Sequence, residues 1–291
     1  MNALDQRSWT LGALFCAVMV TLVAVPRFAH GEGGPAQSWV ARWNLAEAGT
    51  TNRVLGMKAD RQGSLLIAGD LTQTNGNTRY TLLKYTPDGR LLWATGYASA
   101  EFPPNQVRGF DVDREGDAVI TGTPDTVKFA KDGKQLWIAP YGGKDVAVDR
   151  DGNALVTGWH DIRISTVKLS PSGTNIWTRL EFDFPQFAQY PQFTSYSEKV
   201  AVNEAGDVFI AGFEVFNIYL RADPPTPLWQ RSVQKYDASG RRLWRYGPES
   251  NAWPLSYRTL YGLKATPDGG AIMTADELET ALRLGADGKR L

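Results

Sequence analysis

The chain has 291 residues, 43% of them hydrophobic and 11% aromatic, and its 31 basic residues balance 31 acidic ones. That is enough apolar material for a full core, while a balanced charge without a long basic run excludes the electrostatic footprint of a nucleic-acid binder. The only cysteine, Cys16, excludes an intrachain disulfide and a thiolate metal site.

In chain order, the first element is a leader. Arg7 and the amino terminus precede an apolar run from Trp9 to Val25, followed by Pro26 and then Ala29-His30-Gly31. A positive start, an apolar core and small residues at −3 and −1 describe a secretory signal peptide over residues 1–31, cleaved after Gly31. The alternative is an uncleaved anchor, because about 17 apolar residues is the lower limit for spanning a bilayer. Phe15 stands where a lipoprotein signal needs a small residue before Cys16. Either way the remainder is expected outside the cytoplasm, periplasmic or secreted: a short linker over 32–37 and one domain over 38–291, with no membrane span once the leader is cleaved.

That domain repeats two phrases. The first is an Asp-x-x-Gly turn followed by a short apolar strand, at Asp60 to Gly69, Asp113 to Gly122, Asp149 to Gly158, Asn203 to Gly212 and Thr266 to Ala275. The second, Lys-x-x-x-(Asp/Ser)-Gly-x-x-(Leu/Ile)-Trp, runs Lys84 to Trp93, Lys128 to Trp137, Lys168 to Trp177 and Lys235 to Trp244, with a last copy from Arg283 to Leu291. Each unit reads as four strands, a to d: in the first, a is Val54–Ala59, b Ser64–Asp70, c Tyr80–Thr86 and d Arg90–Tyr97. Glycines at fixed places in turns a–b and c–d supply the positive φ of tight hairpins. Five antiparallel units of about 50 residues specify an all-β fold, a β-propeller of five four-stranded blades. Trp39-Val-Ala-Arg-Trp43 matches the Trp-x-x-x-Tyr continuation of blades 1 and 2, so residues 38–45 are expected to supply the outer strand of blade 5 and close the ring, which removes the open sheet edges.

Connection lengths separate two faces. All a–b and c–d turns are short, whereas b–c and d–a links vary, from Pro124-Asp125 in blade 2 to an expected loop over 214–230 in blade 4 and another over 183–196. A site belongs on that variable face. Residues common to all blades build the ring: Trp93, Trp137, Trp177 and Trp244 are expected to dock each blade on the next, and the strand-c lysines to lie along a blade surface or pair with a turn Asp. Asp149, Asp151 and Asn153, like Asp113, Glu115 and Asp117, have a 1, 3, 5 spacing, but their glycine falls at position 4 rather than 6, so they read as turn caps and not as a calcium loop. Residues found in one blade only give the candidate ligand contacts: Trp159, His160, Phe187, Tyr190, Phe193, Tyr219, Trp229, Trp253 and Tyr257, read either as an aromatic wall around the one histidine of the mature chain or as loops that pack their own aromatics into a small core. With one histidine and no mature cysteine, no nucleophilic catalytic set is assembled, so no catalytic residue, metal or cofactor is assigned.

The stretch Tyr141-Gly-Gly-Lys-Asp-Val-Ala-Val-Asp-Arg-Asp-Gly-Asn-Ala-Leu-Val-Thr-Gly, followed by Val167-Lys-Leu-Ser-Pro-Ser-Gly-Thr-Asn-Ile-Trp, resembles the bacterial β-propeller repeat family often called SBBP. The Gly-x-x-x-Trp spacing is also similar to the tryptophan-docking motif of pyrroloquinoline-quinone propellers. Those enzymes use an eight-bladed ring and a cofactor-stacking cysteine pair, and this chain has neither. The resemblance implies an exported propeller without an assigned activity. The reading is therefore a monomeric, exported, non-catalytic propeller binding a protein or carbohydrate ligand on the variable face. The alternative is a carbohydrate-active hydrolase or lyase using carboxylates there, from Asp70, Asp161, Glu181, Asp183, Glu214 and Asp276.

Overall fold

The computed structural model describes residues 20–21, 39–41, 50–99, 105–160, 163–181, 193–218, 226–247, 259–275 and 281–291. Two short strands, β1 (Val20–Thr21) and β2 (Val40–Ala41), pair with each other. Blade 1 is then the meander β3 (Thr51–Ala59), β4 (Leu65–Thr72), β5 (Thr78–Tyr85) and β6 (Leu91–Tyr97). Blade 2 is β7 (Gln106–Val112), β8 (Ala118–Thr123), β9 (Thr126–Phe129) and β10 (Gln135–Ala139). Blade 3 is β11 (Asp145–Val148), β12 (Ala154–His160), β13 (Arg163–Leu169) and β14 (Asn175–Glu181). Blade 4 is β15 (Phe193–Val202), β16 (Val208–Ile218), β17 (Thr226–Tyr236) and β18 (Arg242–Tyr246). Among the described residues blade 5 has three strands, β19 (Leu260–Ala265), β20 (Ala271–Ala275) and β21 (Ala281–Leu284), plus a single bridge from Leu284 to Arg290. The inner strands β3, β7, β11, β15 and β19 touch one another in that order, as the first strands of propeller blades do.

Packing between blades is apolar. Leu66, Ala68, Tyr80 and Leu82 of blade 1 bury against Val107 and Phe110 of blade 2, and Val119 and Ala139 of blade 2 bury against Val146 of blade 3. Each Val, Leu or Phe side chain among them contributes about 1.5–3 kcal/mol by leaving water.

The two repeated phrases meet at each joint. Lys84 Nζ lies 2.9 Å from Asp60 Oδ2, Lys128 2.8 Å from Asp113, Lys168 2.9 Å from Asp149 and Lys235 2.9 Å from Asp207. Thus the strand-c lysine pairs with an acid of its own blade's a–b turn, while the same turn Asp also accepts backbone amides, as Asp149 does from Asp151 and Asn153. Burial works to raise the Asp60 carboxyl, but Lys84 and the Ser64 amide outweigh it and hold the group below its ordinary value. Asp113 and Asp149, which open the two 1, 3, 5 spacings, are thus both engaged by a strand-c lysine.

Tryptophan completes the joint. Trp93 Nε1 donates to the Lys131 carbonyl of blade 2 at 3.0 Å, and Lys84 Nζ reaches the same oxygen at 3.4 Å. Trp177 and Lys168 share the Ala238 carbonyl of blade 4 in the same way. The indole lies flat on the next blade's c–d turn glycine: a Cβ on Gly133 would come within 3.0 Å of Trp93. That glycine therefore answers two demands, a φ of +88° and a bare face for the ring.

Trp39 behaves as a fifth docking tryptophan. Its Nε1 donates to the Pro87 carbonyl at 2.9 Å, its ring covers Gly89, and it stacks on Tyr85 at 6.1 Å. The strand that follows it, β2, is paired with Val20–Thr21; among the described residues no ladder joins it to blade 5.

Blade 4 differs from its sequence reading. The expected loop over 214–230 is mostly a hairpin, since β16 and β17 pair residue for residue from Val208↔Tyr236 to Ile218↔Thr226. Pro227 is admitted because β18 pairs only with the Val233–Tyr236 end of β17, leaving that part of the strand as an edge.

Candidate functional site

The inner strands carry a recurrent irregularity at one end. Pairing skips from Val54 to Gly56, from Val107 to Gly109, from Ser197 to Lys199 and from Leu260 to Gly262, leaving Leu55, Arg108, Glu198 and Tyr261 as β-bulge residues. Bulges re-aim a side chain and are common beside binding sites. The glycine that ends the first repeated phrase makes room for them. A Cβ on Gly69 would sit 2.1 Å from the Arg53 carbonyl oxygen, and one on Gly122 only 1.8 Å from that of Gln106. Blade 3 has an unbulged ladder but brings Gly143 against Gly158, which places Lys144 at the equivalent position. Blade 5 keeps the bulge with Ala275 in the glycine's place.

These positions lie at the b–c/d–a end of the ring. Between blades 2 and 3 they border a cavity of about 430 Å³ lined by Arg108, Gly122, Thr123, Pro124, Gly142, Gly143 and Lys144. Lys144 Nζ is 3.1 Å from Glu198 Oε1 of blade 4. Arg108 has only the Thr123 hydroxyl and the Gln106 amide oxygen, each at 3.4 Å, and among the described residues no carboxylate forms an ion pair with it. The cavity is thus small, rich in exposed backbone and net positive.

At the opposite, a–b end, the inner strands draw together. An ion pair from Arg114 of blade 2 to Glu204 of blade 4 crosses a space of about 100 Å³ bordered by Asp113, Asp149 and Asn203. Between the two ends, carboxylates stitch neighbouring inner strands. Asp111 takes Lys58 of blade 1 at 2.6 Å and the Val148 amide of blade 3 at 2.8 Å, and Asp145 accepts the Val200 amide of blade 4 at 3.1 Å. Burial raises the Asp145 pKa, against the pull of Lys199 and the Val200 amide. Asp70, one of the carboxylates considered for catalysis, is spent on Arg53 and the Val107 amide.

The aromatic wall is only partly placed. His160 ends β12 with Trp159 beside it, in register with Arg163 and Ile164. Phe193 opens β15 opposite Phe216, and Trp229 lies in β17 opposite Val215, so the backbones of the stretches expected as two long loops pair with each other. The side chains of these four residues, and Phe187, Tyr190, Tyr219, Trp253 and Tyr257 entirely, lie outside the described residues, as do Asp161, Asp183 and Asp276. Arg108 and Lys144 were missed. The signal for them was present, namely a charged residue one or two places before the Asp or Phe of strand a, but its alignment between blades becomes visible only once the bulge is known.

No family model matches the chain and no curated protein matches it. Among solved structures it is similar to the extracellular domain of a putative hybrid two component system from B. thetaiotaomicron. That match has 10% identity, a TM-score of 0.52, and coverage of 88% of this chain but 32% of the other, about a third of its length. A protein of unknown function from Bacteroides caccae matches at 16% identity and TM-score 0.42, over 74% and 73% of the two chains. Regucalcin, a calcium-binding protein from Agrobacterium tumefaciens, matches at 13% identity and TM-score 0.39, over 76% and 81%. What these likenesses share with the chain is the fold.

Proposed function

We propose that this chain is an exported, non-catalytic β-propeller that holds a small ligand bearing an oxyanion group at the b–c/d–a mouth, between blades 2 and 3. The observation that carries the reading is the cavity of about 430 Å³ bordered by Arg108 and Lys144. The cavity lies on the face where connections differ between blades, while the other end is narrowed by Arg114 and Glu204. Lys144 is held by Glu198, which leaves the Arg108 guanidinium as the cation of this cavity without a carboxylate partner among the described residues; its planar fork suits a carboxylate or phosphate bound through two oxygens. Export rests on the leader at residues 1–31. No helix among the described residues is long and apolar enough to cross a membrane.

Calorimetric titration of the purified protein with gluconate, inorganic phosphate and neutral glucose tests this. Binding of at least one anion is expected, with glucose silent and Arg108→Gln weakening the anion by tenfold or more, equivalent to about 1.4 kcal/mol. Gluconate binding without phosphate would identify a carboxylate ligand, and the reverse a phosphorylated one. Absence of anion binding, or binding that Arg108→Gln leaves unchanged, would overturn the proposal.

A further inference from the structure

Four blade-to-blade joints are sealed and the fifth is not. Val107 is fully buried and its counterpart in blade 1, Val54, is 63% exposed; Phe110 is 6% exposed and its counterpart Met57 62%. On the other side of the same seam, Ile272 of blade 5 is 38% exposed where Leu66, Val119, Leu155 and Phe209 are fully buried. Two apolar sheet faces that are complementary in every other pair of neighbours stand bare here. They are not the surface pattern of a finished soluble domain.

Trp39 says what belongs between them. Every other docking tryptophan sits in the outer strand of the blade that precedes the glycine it covers. Trp39 covers Gly89 of blade 1, so its strand occupies the place of the outer strand of the preceding blade, which in a ring is blade 5. There, among the described residues, β21 has its outer edge engaged only by the Leu284–Arg290 bridge and by the Leu291 amide on the Arg283 carbonyl. Strand β2, meanwhile, has its own edge filled by leader residues Val20–Thr21. Since each docking tryptophan pairs with the strand-c lysine of its blade, as Trp93 does with Lys84, the register is fixed. Trp39 belongs opposite Arg283, and Ala41 opposite Ala281.

We infer that the leader strand holds the ring open and that its removal lets β2 exchange β1 for β21, completing blade 5 and burying Val54, Met57 and Ile272. The occupant of the seam is thus the chain's own segment around Trp39–Ala41, released on processing. This inference is independent of the oxyanion site and stands or falls apart from it.

The test uses the full chain with Cys16→Ser, Ala41→Cys and Ala281→Cys, before and after cleavage at a protease site placed behind Gly31. Oxidation under native conditions is expected to form the intramolecular disulfide in the processed monomer, and at least tenfold less of it in the uncleaved chain. Equal cross-linking of both forms, none in the processed monomer, or a disulfide that joins two chains would overturn the inference; the last would assign the seam to a second copy. A readout without cysteines guards against a variant that misfolds. In the wild-type sequence carrying only the protease site, the amides of residues 281–284 should exchange with deuterium at least tenfold more slowly after cleavage, and an unchanged rate would contradict the proposal.

Discussion

The joint between blades 3 and 4 and the seam between blades 5 and 1 are built from the same repeat yet have different physics. At the joint, Lys168 is 7% exposed against an Asp149 at 2%, Trp177 is 8% exposed, and both donate to one carbonyl of the next blade. In blade 5 the equivalent cation, Arg283, is 53% exposed and meets Asp268, itself 48% exposed, at 3.0 Å. A basic side chain opposite a turn acid is therefore not a joint in itself. It becomes one when the next blade covers the pair, because desolvation is what makes removal of either partner costly; in the open, solvent screens the same pair to little net effect. The comparison teaches that the repeat encodes half of each joint, and the neighbouring blade supplies the other half.

Substitutions can break this contrast or sharpen it. The largest effect is expected from Trp177→Ala, which opens a void between blades 3 and 4 and leaves the Ala238 carbonyl with less to accept; unfolding in urea should show a loss of about 3–5 kcal/mol. Next comes a difference in pH response. Asp149 has its carboxyl held below the ordinary value, because Asn153 and Lys168 outweigh the opposing effect of burial. It contributes stability above the ordinary carboxylate pKa, which is lost as pH falls through its depressed value. Asp145, raised by burial, contributes in the other sense: its stabilisation is present below the ordinary value and lost as pH rises through the elevated one. Denaturation midpoints measured between pH 3 and 7 should therefore show Asp149→Asn growing more costly relative to wild type as pH rises, and Asp145→Asn growing less so. Parallel trends would contradict the burial and pairing described for the two sites. The smallest effect belongs to the seam: Met57→Ala in the full chain should stay within about 0.5 kcal/mol, although Phe110→Ala at the same repeat position costs about 3–5 kcal/mol.

Much of this architecture was legible in the sequence, for a physical reason. Turn glycines, strand-c lysines and docking tryptophans recur because each meets the same local demand in every blade, so Gly133, Lys128 and Trp93 could be assigned before any contact was known. The second duty of Gly133, a flat seat for Trp93, was not legible, since φ alone already accounts for a glycine there. Nor was the role of Gly122: a bulge is a mismatch between two strands, and nothing in either strand alone marks it. The 214–230 stretch read as a loop because it falls between the repeated phrases, whereas pairing of Phe216 with Leu228 and Val215 with Trp229 extends both strands of the hairpin into it. The candidate site followed the same divide. Its face was readable from connection lengths, but Arg108 and Lys144 were hidden in strands that looked purely structural.

The central claim, that cover by the next blade turns a repeated ion pair into a joint, is tested most directly by one pair of urea titrations on the full chain. Lys128→Met strands a buried Asp113 and should lower stability by about 3–5 kcal/mol. Arg283→Met, at the same position of the repeat but open to solvent, should leave the midpoint within experimental error. Equal losses in the two variants would contradict the account.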